Sequence, residues 1–260
     1  MKNRSRREEW KQHLFAIREL TGREIKRKYA RSRLGILWSV LNPLLSMAVM
    51  SLIFSTMFQR SIENYPIYYL TGSILWTLFS GGTNTAMTAL VDNKTLLLRV
   101  RLPKQLFVFS RIYTAVVNFG YTCVAYAAML LIFRIRPTVY MLLFPLDVLL
   151  LLLFTMGISY ILSVCYVFFA DVKYLYGVVL TLWMYLSALF YPVERLSEGM
   201  QRVLGMNPVY LSVAIARGLM MYGVMPEAVL WIRLAVAAVL SFVIGYGIFR
   251  KFENRIMQYI

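Results

Sequence analysis

The sequence predicts an all-α integral membrane protein with six transmembrane helices. Hydrophobic residues make up 60% of the 260 positions and charged residues only 15%, whereas about a quarter of a soluble domain is charged. Six apolar runs reach the length of about 20 residues that a helix needs to cross a hydrocarbon core. Lysines and arginines gather beside the ends of these runs. Together these observations argue against a soluble protein.

The first predicted element is a surface-lying helix within residues 1–34. Trp10, Leu14 and Ile17 recur at helical spacing, while arginine and lysine fill most of the remaining positions. This pattern is typical of an amphipathic helix in the membrane interface. It is not typical of a signal peptide, because the charged region and the apolar run after it are both too long. The stretch "REIKRKYARSRLGILWSVLNP", residues 23–43, then leads from the basic helix into the bilayer.

The transmembrane domain is predicted over residues 35–250, followed by a short tail at 251–260. A further uncharged stretch, Val203–Ala216, is too short to cross and is interrupted by Asn207 and Pro208. It is therefore expected to form a re-entrant or interfacial pair of short helices. The six spans are expected at about residues 36–58, 67–90, 107–133, 140–170, 174–193 and 228–249.

Six spans place both termini on the same side of the membrane. That side then holds twenty of the lysines and arginines between and beyond the spans, and the other side holds six. Because cytoplasmic segments are enriched in lysine and arginine, both termini are predicted to be cytoplasmic. This asymmetry and contact with anionic lipid explain most of the net charge of +16, so no nucleic-acid partner is expected.

The chain lacks the residues that a nucleotide-binding subunit or a membrane enzyme needs. It has neither a G-x-x-x-x-G-K-[ST] loop nor a Rossmann glycine fingerprint. Asp147 and Arg233 lie near the margins of their spans, where boundary or packing roles are expected. His13, Cys123 and Cys165 are too isolated to form a metal site or a disulfide. The sequence therefore predicts no enzyme, metal or cofactor, and energy for uphill transport must come from another chain.

Several aromatic residues lie within the predicted spans rather than at their ends. Their apolar faces and polar tips are suited to a route for a sugar chain, because sugar rings offer C–H faces for stacking and hydroxyls for hydrogen bonds. Ordinary helix packing explains each of them equally well. The candidate conduit residues are Tyr121, Tyr126, Tyr160, Tyr166 and Trp183.

Four stretches resemble the membrane subunit of type-2 ABC exporters, and more narrowly the permeases that export O-antigen, capsule or teichoic-acid polysaccharides. They are "REIKRKYARSRLGILWSVLNPLL" (23–45), "RLPKQLFVFSRI" (101–112), "FFADVKYLYGVVLTLWMYLSALFYPVERL" (168–196) and "MNPVYLSVAIARGLM" (206–220). The resemblance extends over nearly the whole chain. It implies a bacterial cytoplasmic membrane protein in which two copies form the conduit. Two separate ATPase subunits would then supply ATP and Mg²⁺.

The resemblance also implies roles for particular segments. The interface helix corresponds to roughly residues 8–33, a coupling helix to 92–105 and two short outer gate helices to 194–224. Basic residues at the end of the interface helix would hold the phosphate or pyrophosphate of a lipid-linked glycan, with anionic lipid contact as the open alternative. The residues implied are Asp92, Lys94, Arg99, Arg101 and Lys104 for ATPase coupling, Arg27, Lys28, Arg31 and Arg33 for the head group, and Tyr191, Glu194, Asn207, Pro208 and Arg217 for the outer gate.

Two alternative functions stay open at this point. A type-2 permease for a drug, lipid or peptide would share the fold and energetics but not a wide aromatic conduit. A polytopic transferase acting on lipid-linked sugars would need a catalytic acid or histidine at the membrane face. Asp92 and Asp171 are the candidate acids, and neither has a catalytic partner nearby in the sequence.

Overall fold

The computed structural model of the protein describes residues 6–30, 32–58, 62, 64–99 and 102–259. Within these ranges every regular element is helical. Short 3₁₀ helices lie at Gly35–Leu37, Val139–Leu143 and Val193–Arg195, and a π-helical turn lies at Gly218–Tyr222. The α-helices are α1 (Arg6–Tyr29), α2 (Trp38–Phe58), α3 (Tyr65–Met87), α4 (Ala89–Asp92), α5 (Lys94–Arg99), α6 (Gln105–Ile132), α7 (Phe144–Phe168), α8 (Val172–Tyr185), α9 (Glu198–Leu204), α10 (Pro208–Arg217) and α11 (Ala228–Tyr259).

The central helix of the bundle is α3. It packs against α2, α6, α7, α8 and α10, and most of its side chains are buried. Small residues allow these close contacts, since a Cβ atom at Gly82 would lie only 3.0 Å from the Thr155 methyl group. Because protein surrounds much of α3, its serines, threonines and glycines are tolerated at membrane depth.

Within the part of the chain that the structure describes, four helical segments are long and apolar enough to cross a membrane, namely Gly35–Phe54, Gln105–Ile132, Val139–Phe168 and Ala228–Tyr259. They match the first, third, fourth and sixth predicted spans. The second predicted span, α3, is long enough, but its hydroxyl and glycine residues make it less apolar. The fifth, α8, has 14 residues, fewer than the 20 or so that a straight crossing needs. Length and composition alone therefore support four spans among the described residues. The number is five if the bent pair of short helices Glu198–Leu204 and Pro208–Tyr222 counts as one span.

The segment between α8 and α11 folds as two short helices. The helix α9 and the one that begins at Pro208 meet at an angle of 96°. Asn207 caps α10, since its side-chain oxygen accepts a hydrogen bond from the Val209 N–H at 3.0 Å. Proline fits the first position of a helix because its missing N–H would have no partner there. The bend has the geometry expected of a pair of short helices rather than of one straight helix.

Several helix ends differ from the predicted ones. The interface helix α1 ends at Tyr29, and Gly35 lies in the turn that follows with a φ of +51°, which glycine adopts without strain. Helix α8 ends at Tyr185, and the rest of the predicted fifth span is largely irregular. Helix α11 continues to Tyr259 through the residues predicted to form a tail. The end of this long helix lies near the start of α6, where the side chain of Lys104, the residue before α6, donates to the Glu253 carbonyl of α11.

The bundle has two chemically different ends. One end holds the second half of α1, the α4–α5 segment and the end of α11, all rich in lysine and arginine, and is called the basic end here. The opposite end holds the turn between α6 and α7, the loop after α8 and the pair α9–α10. Helices α7 and α11 run parallel between the two ends, with the backbone of Gly157 directly against that of Gly245.

Candidate functional site

Arg111, near the start of α6, is the centre of an ion-pair cluster at the basic end. Its guanidinium donates to the Glu24 carboxylate of α1 at 2.5 Å and to the Asp92 carboxylate of α4 at 2.9 Å. The side chains of Arg111 and Glu24 are only 7% and 9% exposed. One guanidinium therefore connects the interface helix, the α4–α5 segment and a membrane-length helix.

Two further arginines of α1 reinforce this cluster. Arg27 lies 3.1 Å from the Glu24 carboxylate. Arg23 donates to the side-chain oxygen of Asn93, the residue between α4 and α5. These contacts fix α1 and the α4–α5 segment to each other as well as to α6.

Two of the predicted coupling residues, Lys94 and Arg99, are exposed on α5. Leu98 is also exposed between them, at 59% of its accessible surface. Arg101 lies outside the described residues. The exposed side of α5 therefore presents both apolar and cationic groups.

The other two predicted coupling residues have partners within the bundle. Asp92 accepts from Arg111, as described above, and also from the Thr88 hydroxyl at 2.8 Å. Lys104 donates to the backbone carbonyl of Glu253 in α11. These two residues tie the α4–α5 segment and the start of α6 to the bundle, and the coupling role of all five stays a prediction.

A polar groove begins beside the ion-pair cluster and runs between α1, α2, α3 and α6. It consists of two adjoining cavities of about 430 and 210 Å³, which share Lys28, Thr77, Asn118 and Thr122. Three helices line it with polar side chains at helical spacing. These are Ser39, Asn42 and Ser46 on α2, Ser73, Thr77 and Thr85 on α3, and Thr114, Asn118 and Thr122 on α6.

The hydroxyl groups of the groove remain able to accept hydrogen bonds. Thr77 and Thr114 each donate to a carbonyl of their own helix at 2.8 Å, which leaves lone pairs on their oxygens for a guest. The Asn118 side-chain oxygen accepts from the Tyr29 hydroxyl at 3.3 Å and so joins α6 to the end of α1. Apolar side chains such as Ile74, Leu78 and Phe119 lie beside these polar groups. The lining therefore suits a guest that combines hydroxyls with apolar C–H faces.

The predicted head-group residues lie partly at this groove. Arg27 and Lys28 line the larger cavity. Arg33 is exposed but is not among the residues that line either cavity, and Arg31 lies outside the described residues. The two cations at the mouth are of the type that binds phosphate through charge-assisted hydrogen bonds.

The predicted conduit aromatics do not lie together within this chain. The Tyr126 hydroxyl bonds to α3 at 2.7 Å, Tyr160 packs against aromatic residues of α11, and Trp183 packs against α3 and α7. Tyr121 and Tyr166 are half-buried. None of the five lines the polar groove, and their role in a conduit stays a prediction.

At the opposite end, Arg217 of α10 supports the loop that follows α8. It is 5% exposed and donates to the carbonyls of Ala188 at 3.0 Å and of Leu189 at 3.3 Å. The same guanidinium also donates to the Tyr68 carbonyl and stacks over the Tyr68 ring, with its central carbon 3.4 Å from the ring centre. A buried cation without a carboxylate partner is thus compensated by carbonyls and a π face.

Side chains of α3, and Asn207 at the start of α10, donate hydrogen bonds to further carbonyl groups of this loop. The hydroxyls of Tyr65 and Tyr68 donate to the carbonyls of Phe190 and Tyr191 at 3.0 and 2.8 Å. Asn207 donates to the first carbonyl after α8 at 2.8 Å and accepts from the Trp183 indole. Irregular backbone inside a membrane requires such internal partners.

The predicted gate residues share this region. Tyr191, Asn207 and Arg217 are all bonded to or within the loop. Pro208 begins α10, and Glu194 is exposed in the 3₁₀ helix after the loop. The structure thus connects most of them to one segment, while their action as a gate stays a prediction.

Sequence reasoning missed the hydroxyl stripes and the central role of Arg111. The stripes have a recognisable signal, since Thr114, Asn118 and Thr122 stand four positions apart on a helix that is otherwise apolar. The pairing of Glu24 with Arg111 has no such local signal, because the two residues belong to distant elements.

A helical bundle with several membrane-length helices and a polar groove between them defines a polytopic membrane protein. The chain belongs to the ABC-2 type transporter family, whose model matches residues 16–221. The O-antigen export system permease protein RfbA of Myxococcus xanthus is 33% identical over 192 residues, or 73% of this chain and 74% of the relative. A protein of the same name from Klebsiella pneumoniae is 25% identical over 92% of both chains. The polysialic acid transport protein KpsM of Escherichia coli is 24% identical over 90% of this chain and 92% of the relative.

Proposed function

We propose that the chain is the permease half of an ATP-driven exporter that moves a lipid-linked polysaccharide across the bacterial cytoplasmic membrane. The observation that carries the proposal is the polar groove, in which three helices present hydroxyl and amide side chains at helical spacing. A sugar chain can exchange hydrogen bonds with these side chains, whereas a hydrocarbon lipid tail cannot. The names of the relatives, which refer to O-antigen export and polysialic acid transport, support the same substrate class.

In this proposal the basic end faces the cytoplasm and the chain crosses the membrane six times. Four membrane-length segments supply four crossings. The buried helix α3 and the shorter α8 supply the other two, shielded by their neighbours or by a second copy of the chain. The excess of lysine and arginine at the basic end supports this orientation, which places both termini in the cytoplasm.

The energy source in this proposal is a pair of separate ATPase subunits, which bind ATP and Mg²⁺. Lys94, Leu98 and Arg99 form the exposed side of α5 that meets them. Through Asp92 and Arg111, a push on α5 reaches both α1 and α6. Two permease chains then separate to let the glycan pass between them.

The glycan enters from the basic end. Arg27 and Lys28 bind the phosphate or pyrophosphate of the lipid carrier at the mouth of the larger cavity. The sugars follow the hydroxyl stripes of α2, α3 and α6 and leave past the loop held by Arg217. Aromatic residues such as Trp183 join the conduit only in conformations that separate them from their present neighbours.

The test removes hydroxyls from the groove without changing side-chain shape. In a Thr77→Val, Thr85→Val and Thr114→Val triple variant, we expect glycan transport in proteoliposomes with the partner ATPase to fall at least tenfold, while membrane insertion stays normal. Thr181→Val is the matched control, because Thr181 also donates to a carbonyl of its own helix but lies exposed on α8. Equal transport by the triple variant and the control would refute the proposed path.

A further inference from the structure

Asp147 lies in the first turn of α7 and is completely buried. Neither carboxyl oxygen has a hydrogen-bond partner among the described residues. A buried carboxyl group without partners is unusual, since buried polar groups in proteins are almost always bonded. Its surroundings must therefore supply partners that a small side-chain movement would engage.

A second buried polar atom without a partner among the described residues lies on a helix that packs against α7. It is the hydroxyl of Ser212 on α10, a residue that is 0% exposed. The Ser212 hydroxyl lies beside the Asp147 carboxyl, close enough to interact with it, but not in the geometry of a complete hydrogen bond.

The charges around this point favour a neutral acid. No described lysine or arginine forms an ion pair with Asp147. The nearest buried cation in α10, Arg217, is already engaged by backbone carbonyls. An isolated carboxylate in an apolar interior is strongly disfavoured. A protonated carboxyl instead offers an O–H donor, which matches the acceptor lone pairs of a serine hydroxyl.

We propose that Asp147 is a protonated carboxylic acid that joins α10 to α7. Its O–H donates to the Ser212 hydroxyl. Asp147 is thus a positioning residue, which anchors the short helix that carries Arg217 to a membrane-length helix. This inference concerns the resting structure and holds whatever the chain transports.

Infrared difference spectroscopy of the full-length protein in lipid vesicles tests the proposal. Wild type minus Asp147→Asn should contain a carbonyl band of a protonated carboxylic acid that moves to lower frequency in D₂O. Asparagine keeps the shape and the hydrogen-bonding capacity of the neutral acid, so this variant should fold. A carboxylate signal in place of that band would overturn the proposal.

A second pair of variants identifies the partner of the acid. Ser212→Ala should shift the carboxylic-acid band to higher frequency, because the O–H loses its acceptor. Ser163→Ala is the control, since Ser163 is also buried, lies on α7 itself and donates to the carbonyl of Tyr160 at 2.9 Å. An identical band in both alanine variants would overturn the bridge to α10.

Discussion

Arg111 joins three segments of the chain through a single guanidinium. It contacts Glu24 and Asp92, which lie on different elements, and its own side chain is almost inaccessible to water. A lysine could not form the same bridge, because an ammonium lacks the planar fork that reaches two carboxylates. In the proposed coupling mechanism, residue 111 therefore passes movement of α5 to α1 and α6.

We expect Arg111→Gln to lower the free energy of unfolding by about 3–5 kcal/mol, because it leaves the buried Glu24 carboxylate without its main partner. It should also reduce ATP hydrolysis stimulated by the transport substrate. Thermal unfolding of the purified protein in detergent and an ATPase assay with the partner subunit measure the two effects.

The double variant Glu24→Gln with Arg111→Gln separates the effect on stability from the effect on stimulated ATP hydrolysis. Because no buried charge is left unpaired, its stability should be higher than that of Arg111→Gln alone. Stimulated ATP hydrolysis should stay low, since the bridge is still absent. A double variant whose stability loss equals the sum of the two single losses would contradict the bridge.

Lys28 tests the binding of the substrate head group at the mouth of the groove. Losing one charge-assisted bond to phosphate should cost about 1.5 kcal/mol or more, so Lys28→Gln should raise the half-saturating concentration of lipid-linked glycan about tenfold. Lys26→Gln is the control, because it removes the same charge from α1 but lies against a different cavity, beside Leu96. Equal effects of both variants would indicate a general role in lipid contact or topology.

At the scale of helices, the contact between α7 and α11 requires glycine at two positions. A Cβ atom at Gly157 would lie 2.3 Å from the Ser241 carbonyl, and one at Gly245 would lie 2.1 Å from the Gly157 oxygen. The two helices therefore touch through their backbones. Any larger residue at either position must push them apart.

We expect Gly157→Ala to destabilise the protein by about 1–3 kcal/mol or more, the usual cost of overpacking a tight contact. Gly247→Ala in α11 should be neutral or stabilising, because nothing lies within 4 Å of its Cβ position and alanine favours the helix. Thermal unfolding of both variants in the same detergent measures the difference. A loss of equal size in both would mean that helix propensity, not the contact, sets the stability.

The sequence predicts best those helices whose composition is determined by contact with lipid. The runs that became α2, α6, α7 and α11 are apolar because lipid or other helices surround them, so hydropathy predicts them. The centre of the bundle follows a different rule. Side chains of α3 mostly contact protein, so polar or small residues such as Thr83 and Gly82 are tolerated there. Helix α8 ends at Tyr185, and hydrogen-bond donors on α3 and α10 pair with the carbonyl groups of the irregular loop that follows.

The candidate site was predicted less completely than the fold for a physical reason. Arg27 and Lys28 were predicted to hold the substrate head group at the basic rim, because charge is visible in the sequence. The helical spacing of Thr114 and Asn118 could have revealed one wall of the groove. The groove itself needs α1, α2, α3 and α6 to converge, and that convergence depends on contacts such as Arg111 with Glu24. A single sequence contains no signal for a pairing between such distant residues.

At the scale of the whole molecule, the number of crossings decides which surfaces can meet the proposed ATPase subunits. The topology can be tested by labelling single cysteines in intact cells with a membrane-impermeant maleimide. Cys123 and Cys165 are free thiols and are first replaced by alanine. Gln258→Cys, at the exposed end of α11, should react only after the membrane is opened, whereas Arg136→Cys in the turn before α7 should react in intact cells.

Two further positions decide the helices that composition leaves open. If α3 crosses the membrane, Lys94→Cys on α5 lies on the cytoplasmic side and stays unlabelled in intact cells. If α8 also crosses, Glu198→Cys, whose native side chain is 91% exposed on α9, is labelled from outside. Labelling of Lys94→Cys in intact cells would mean that α3 does not cross, and the α4–α5 segment could then not meet a cytoplasmic ATPase. Protection of Glu198→Cys would place α9 in the cytoplasm and rule out an outer gate at α9–α10, because that pair would lie on the side from which the substrate enters.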